Sequence, residues 1–217
     1  MSDPEVRILL VDDEKDIRDQ ISAAFAPHNW KIDEFGDVES AANAVRELRM
    51  KGREYDAAIL DFRLPMSSLD RRTPVDVSLC NLVRNKTLVW HISVFLKDDP
   101  EIKAHVAACH SPDEQLAIIA KGVGFIEELE SQIRRALAAR RIKVSLNMLQ
   151  PGPSASGYAR RFRPDPAETS VTNLLARLCG DIKRFWNDLT PAFQSELAES
   201  FEIELGPNGK VENVFPK

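Results

Sequence analysis

Cysteine is scarce in this sequence, and long apolar segments are missing from it. The three cysteines, Cys80, Cys109 and Cys179, are far apart and form no Cys-x-x-Cys pair, which is typical of reduced cysteines. No apolar segment approaches the roughly 20 residues that a membrane-spanning helix needs. Residues 1–5 carry acidic side chains where a secretory signal would carry Lys or Arg, and the apolar segment of a signal peptide does not follow them. We therefore expect a cytoplasmic protein without membrane association.

The sequence also lacks an excess of positive charge. Acidic residues outnumber basic ones by 34 to 29, and the net charge is -5. Overall charge therefore gives no reason to expect binding to nucleic acid or to an anionic membrane. The 217 residues, with 43% hydrophobic and 29% charged, are enough for one sizeable globular domain and a small second one.

Four apolar segments each end abruptly in residues that can carry chemistry. They are Ile8–Val11 before Asp12 and Asp13, Tyr55–Leu60 before Asp61, Thr87–Ile92 before Ser93, and Gln115–Ala120 before Lys121. Short runs of this composition predict strands that are buried on both faces. In an open α/β sheet the functional crevice lies beyond the carboxyl ends of the strands, so we expect these polar side chains to meet there.

Helical periodicity separates the predicted strands. Residues 16–26 and 38–48 repeat apolar side chains at helical spacing, and Asp37 and Gly52 supply a cap and a stop for the second helix. Further predicted elements are a strand over 30–35, a helix that opens at Pro74, a helix over 100–109, and a last helix from Phe125 that continues as far as Pro151. This alternation predicts an α/β protein with a doubly wound, five-stranded parallel sheet.

The order of the strand ends resembles a known family. An acid pair, an acid, a hydroxyl and an amine follow the strands in that order, and Pro65 comes four residues after Asp61. In these features residues 5–141 resemble the receiver domain of two-component response regulators, a flavodoxin-like fold. The resemblance implies a phosphoacceptor on Asp61, supplied by a sensor histidine kinase or a phosphotransfer protein. It implies no enzymatic activity beyond self-catalysed phosphorylation and dephosphorylation.

The resemblance also implies a Mg²⁺ site beside Asp61. Independently of it, two adjacent carboxylates repel one another unless a cation is near, and Mg²⁺ takes oxygen ligands. By analogy with the family, the ligands are Asp13, Asp61, the backbone carbonyl of Arg63 and, through a water molecule, Asp12. Lys121 would pair with one phosphoryl oxygen and Ser93 would donate a hydrogen bond to another.

Four positions depart from the family pattern. Ile118 replaces the usual aromatic residue, and Gly122 replaces the proline that usually follows the lysine. Val94 and Phe95 follow Ser93, where a small residue and often a polar one are usual. We therefore expect an unusual output switch and a long-lived aspartyl phosphate.

Beyond the receiver-like part the sequence predicts a small second module. Residues 151–157 have the composition of a linker, Asp165-Pro166 is a typical helix start, and the apolar spacing continues to Leu189. Thr190-Pro191 starts another helix, and two alternating segments over 201–215 predict a β-hairpin around a Gly-Pro-Asn-Gly turn. We assign residues 1–143 to the receiver domain, 144–164 to a linker, and 165–217 to a mostly helical interaction module.

Two other functions require residues that the sequence lacks. A dehalogenase-like phosphatase needs an acid two residues after Asp61, and Arg63 stands there. Residues 152–156 do not fit the Gly-x-Ser-x-Gly pattern of an esterase, and no histidine follows His110, so a catalytic triad is not expected.

The second module has two candidate functions, contact with a protein and contact with DNA. The apolar stripe of the predicted helix favours protein contact, including a homodimer formed through the last receiver helix and the module. The alternative is a transcriptional regulator with an atypical DNA-binding module, in which Arg160, Arg161 and Arg163 would contact DNA.

Overall fold

A computed structural model describes residues 5–65, 72–74, 77–83, 87–94, 100, 104, 118–149 and 171–216. The chain divides into two compact units, Met1–Gln132 and Ile133–Lys217. Within the described ranges, every helix is too short or too polar to cross a membrane.

The first unit contains both strands and helices. In chain order its described elements are β1 (Arg7–Val11), α1 (Lys15–Phe25), a 3-10 turn (Ala26–His28), β2 (Lys31–Phe35), α2 (Val38–Met50), β3 (Ala57–Asp61), β4 (Arg63–Pro65), β5 (Arg72–Pro74), α3 (Val77–Val83), β6 (Leu88–Ser93), β7 (Ile118–Ala120) and the start of α4 (Phe125–Leu149). Five of the strands form one parallel sheet in the order β2-β1-β3-β6-β7. The predicted five-stranded parallel sheet is confirmed.

The central strands are buried as their composition predicts. Every residue of Ile8–Val11 is fully buried, and all five residues of β3 are buried beside them. Apolar residues on α2, at the predicted helical spacing, cover one face of the sheet. Because both faces are covered, a continuous apolar run is stable in these strands.

The predicted ends of α2 are also confirmed. Asp37 Oδ1 accepts a hydrogen bond of 2.8 Å from the Ser40 backbone N–H, as an N-cap does. At the other end, Gly52 has a φ of +70°, and its N–H donates to the Arg49 carbonyl at 2.8 Å. Glycine adopts this left-handed conformation without steric cost, so it ends the helix.

The predicted helix start at Pro74 is wrong. Pro74 is the last residue of β5 and pairs with Arg63 of β4 in a short antiparallel ladder, and α3 begins only at Val77. A residue before proline favours extended backbone, which suits Thr73 in the middle of this strand. Most of the predicted helix over 100–109, together with residues 115–117 and Phe95, lies outside the described residues.

The second unit contains helices followed by a hairpin. After the later part of α4 come α5 (Val171–Phe185), a 3-10 turn (Trp186–Asp188), α6 (Pro191–Ser200), β8 (Phe201–Leu205) and β9 (Val211–Pro216). The last two strands pair antiparallel, which confirms the predicted hairpin. Thr190 Oγ1 accepts a hydrogen bond of 3.3 Å from the Phe193 N–H and so caps α6.

The apolar stripe of α5 is buried within this unit. Leu178 and Ile182 are fully buried among residues of α6, β8 and α4, including Ala138 and Ile142. The later part of α4 supplies some of the cover for this stripe, because the helix continues to Leu149. The domain limits at 143 and 165 stay a prediction, and the predicted linker over 151–164 lies outside the described residues.

Candidate functional site

Three carboxylates converge at the carboxyl ends of two neighbouring strands. Asp12 and Asp13 follow β1, and Asp61 ends β3, which pairs with β1 in parallel. One carboxylate oxygen from each of the three lies within 4.8 Å of the others. Asp12 is fully buried and Asp61 is 6% exposed, so water screens their charges only weakly.

Lys121 supplies the cation of this cluster. Its Nζ lies 2.8 Å from Asp12 Oδ2, 3.2 Å from Asp61 Oδ2 and 3.7 Å from Glu14 Oε1. The residue follows β7, and its backbone N–H donates to the Ser93 carbonyl at 2.6 Å. The position of Lys121 at the end of β7 therefore places its ammonium group beside carboxylates that follow β1 and β3.

Backbone N–H groups hold the opposite oxygens of the two buried carboxylates. The Glu14 N–H donates to Asp12 Oδ1 at 2.9 Å, and the Phe62 N–H donates to Asp61 Oδ1 at 2.8 Å. Each Oδ2 atom is the one that faces Lys121. Both carboxylates are thus oriented by the chain itself.

Burial dominates the acid–base behaviour of the cluster. It raises the pKa of Asp61 to about 6, an effect opposed by the charge of Lys121 and reinforced by the charge of Asp12. Burial likewise raises the pKa of Asp12, against its hydrogen bond with Lys121. Burial opposes the charge of Lys121, but the hydrogen bond with Asp12 and attraction to Asp61 outweigh it and raise its pKa. A second cation would relieve the remaining repulsion between the carboxylates.

The donor set fits a hard divalent cation. Asp12, Asp13 and Asp61 offer only oxygen atoms, and their spacing allows one ion to reach all three. Arg63 is the first residue of β4, two residues after Asp61, and the role of its carbonyl as a ligand stays a prediction.

Ser93 is the last residue of β6, which lies between β3 and β7 in the sheet. Ser93 is 1% exposed. It therefore shares the sheet edge with Asp61 and Lys121. Val94 follows it and is 66% exposed. The hydrogen-bonding role of Ser93 and the long-lived aspartyl phosphate expected from Val94 stay predictions.

Sequence reasoning missed two charged residues that belong to this region. Glu14 is the third carboxylate near Lys121, and Arg18 Nη1 donates to the Asp12 backbone carbonyl at 2.5 Å. Glu14 immediately precedes α1, and Arg18 lies within it, four residues later. Oppositely charged side chains at this spacing on a helix are neighbours. That spacing is the sequence signal for the pair, although it gives no indication of a contact with a carbonyl.

Solved structures of receiver domains match this chain. A CheY-like receiver domain protein from Methanospirillum hungatei JF-1 is 15% identical, with a TM-score of 0.50, over 64% of this chain and 99% of that one. The response regulator domain of Thermotoga maritima CheB is 21% identical, with a TM-score of 0.45, over 62% of this chain and 97% of that one. No protein-family profile and no curated protein matches the chain.

The match to the Methanospirillum hungatei protein shows that the first unit has the receiver fold, which confirms the predicted resemblance at the level of fold. The matches cover about 62% of the chain, and the C-terminal region is unmatched. By its fold, the first unit is therefore classed with the receiver domains.

The pKa of Asp61 predicts how stability depends on pH. Its folded-state value of about 6 exceeds the ordinary 3.8, so the folded protein binds this proton more tightly than the unfolded chain does. Without divalent cations, the contribution of Asp61 to stability is therefore lost as the pH rises from about 4 to above 6, by on the order of 3 kcal/mol. Asp61→Asn removes this loss, and we expect the variant to be the more stable protein at neutral pH.

Urea unfolding in EDTA at several pH values measures this effect. The free energies of unfolding of the two proteins should approach each other as the pH falls below about 6. A difference between them that is independent of pH would contradict the assignment of the raised pKa to Asp61.

Proposed function

We propose that this protein is a response regulator that accepts a phosphoryl group on Asp61 in a Mg²⁺-dependent phosphorelay. The observation that carries the proposal is the convergence of Asp12, Asp13 and Asp61 around the Lys121 ammonium group at one edge of a receiver-like sheet. A buried carboxylate, an all-oxygen cation site and a nearby fixed positive charge are what transfer of a phosphoryl group to an acid requires.

In the proposed reaction the Asp61 carboxylate attacks the phosphorus atom of the donor. An O–P bond forms as the bond between phosphorus and the leaving group of the donor breaks, giving a mixed anhydride. The Phe62 N–H fixes the orientation of the carboxylate by holding Oδ1. Bound Mg²⁺, held by Asp13, Asp61 and the Arg63 carbonyl, with Asp12 acting through water, would neutralise negative charge on the incoming group.

Lys121 and Ser93 would receive the transferred group. The ammonium group, now shared between Asp12 and Asp61, would pair with one phosphoryl oxygen as a point charge. The Ser93 hydroxyl would donate to another phosphoryl oxygen from the neighbouring strand. The phosphoryl donor in the cell would be a sensor histidine kinase or a phosphotransfer protein.

Incubation with acetyl phosphate tests the proposal without knowledge of the kinase. With Mg²⁺ present, the intact mass should increase by one phosphoryl group, and EDTA should prevent the increase. An unchanged mass after incubation with Mg²⁺ and acetyl phosphate would overturn the proposed function.

The second unit would carry the output through protein contact. Its hairpin exposes two large apolar side chains, Leu205 at 56% and Phe215 at 48%. We expect the phosphoryl mimic beryllofluoride, added with Mg²⁺, to raise the average mass of the full chain in light scattering. Asp61→Asn should prevent the rise, and Leu205→Ser combined with Phe215→Ser should reduce it.

Val123→Ser is the matched control for this prediction, because Val123 is a fully exposed apolar residue of the first unit. A monomer under every condition would contradict self-association. DNA binding that is sensitive to salt and lost on mutation of Arg160, Arg161 and Arg163 would favour a transcriptional regulator instead.

A further inference from the structure

A short network of side chains ties the loop after β1 to the neighbouring strand. Arg18, on α1, donates through Nη1 to the Asp12 backbone carbonyl at 2.5 Å, and its Nε lies 3.6 Å from Glu34 Oε2. Ser22, one turn further along α1, donates through Oγ to Glu34 Oε1 at 2.5 Å. The Asp12 N–H donates to the Phe35 carbonyl at 3.1 Å, at the end of β2.

From these contacts we propose that Arg18 is a positioning residue for the divalent cation site, an inference that rests on the proposed function. The carbonyl that Arg18 holds belongs to the peptide bond between Asp12 and Asp13. Fixing that peptide fixes the direction in which the Asp13 side chain leaves the backbone. Arg18 acts through the backbone and touches neither the cation nor the phosphoryl group.

The loop needs such an anchor because it concentrates like charges. Asp12, Asp13 and Glu14 are consecutive, and Asp61 lies against the first two. Repulsion among these carboxylates favours an opened loop when no cation is bound. The Arg18 side chain is 16% exposed, so its hydrogen bond to the carbonyl competes little with water.

The proposal makes a prediction opposite in sign to simple electrostatics. Removing a positive charge near a cation site should tighten cation binding if charge alone matters. Removing an anchor that orders the ligands should weaken binding, and substitution of residues that orient metal ligands weakens it by about tenfold or more. Arg18→Met therefore separates the two accounts by the direction of the change.

The experiment is a titration of the full chain with Mn²⁺, followed by electron paramagnetic resonance of the free ion. We expect Arg18→Met to bind Mn²⁺ about tenfold more weakly than the wild type does. Ser22→Ala changes no charge and loosens Glu34, so it should weaken Mn²⁺ binding, but by less than Arg18→Met does. Arg18→Lys keeps the charge and one donor, and its affinity should lie between those of Arg18→Met and the wild type.

Lys15→Met is the matched control. It removes the same charge from the same helix, but Lys15 is exposed and pairs with Asp19. Its Mn²⁺ affinity should equal or exceed that of the wild type. Far-UV circular dichroism checks that each variant is folded, and if Arg18→Met is unfolded, Arg18→Lys and Ser22→Ala decide the question.

The outcomes separate this inference from the function on which it rests. Equal or tighter Mn²⁺ binding by Arg18→Met, or by both Arg18→Lys and Ser22→Ala, overturns the positioning role and leaves the phosphoacceptor proposal standing. A wild-type chain that neither binds Mn²⁺ nor gains a phosphoryl group from acetyl phosphate would instead overturn the proposed function itself.

Discussion

Asp61→Asn is expected to abolish phosphorylation by acetyl phosphate completely. The amide lacks the nucleophilic oxygen pair, and Asn offers no charge to a divalent cation. Among the described residues, Asp61 is the carboxylate near Lys121 that lies at the end of β3, where the phosphoacceptor is predicted. Intact-mass measurement after incubation with Mg²⁺ and acetyl phosphate should show one added phosphoryl group on the wild type and none on the variant.

Asp56→Asn is the control for this substitution. Asp56 lies at the opposite end of the same strand, where its Oδ2 accepts a hydrogen bond of 3.0 Å from the Arg7 N–H. The Asp56→Asn variant should gain one phosphoryl group, as the wild type does. The substitution is chemically the same as Asp61→Asn but lies away from the carboxylate cluster. Equal labelling of Asp61→Asn and wild type would place the acceptor elsewhere.

Lys121→Met is expected to destabilise the metal-free protein strongly. It leaves Asp12 and Asp61 buried without the ammonium group that now lies 2.8 Å and 3.2 Å from them. Removing one partner of a buried ionic cluster costs about 3 kcal/mol or more in the free energy of unfolding. Urea unfolding at neutral pH in EDTA measures the loss.

Two further conditions identify the cause of this loss. Mg²⁺ should restore part of the stability, because a bound cation replaces the missing positive charge and binds only the folded chain. The loss should also shrink below about pH 6, where Asp61 becomes protonated. Lys15→Met, which removes an exposed lysine, should unfold close to the wild type. A Lys121→Met protein as stable as the wild type in EDTA would contradict the role of this cluster.

Sequence reasoning located the strands and the cluster because both follow from local composition. The buried run Ile8–Val11 predicts a strand, and a parallel sheet brings its carboxyl end to the same edge as that of the strand ending in Asp61. That these two strands are neighbours is seen in the structure. The same argument placed Lys121 and Ser93 at this edge. These inferences concern the shared edge alone, and the distances within the cluster come from the strand order in the structure.

The features that were missed depend on contacts between residues distant in sequence. Pro74 looks like a helix start in isolation, but its pairing with Arg63 holds it in a strand. The hydrogen bond from Arg18 to the Asp12 carbonyl leaves no pattern in the sequence, because every residue offers a carbonyl. The burial of Leu178 depends on α4, whose length could be predicted but whose packing partner could not.

The most direct test of the phosphoacceptor site is a ¹⁹F nuclear magnetic resonance spectrum of the full chain with beryllofluoride and Mg²⁺. Beryllofluoride binds a carboxylate as a phosphoryl group would, so its fluorine atoms would report on Asp61 and on the predicted contacts with Lys121 and Ser93. We predict resolved resonances from bound fluorine that vanish in EDTA and in Asp61→Asn. Resonances from the free species alone, or bound resonances that persist in Asp61→Asn, would contradict the assignment of Asp61 as the acceptor.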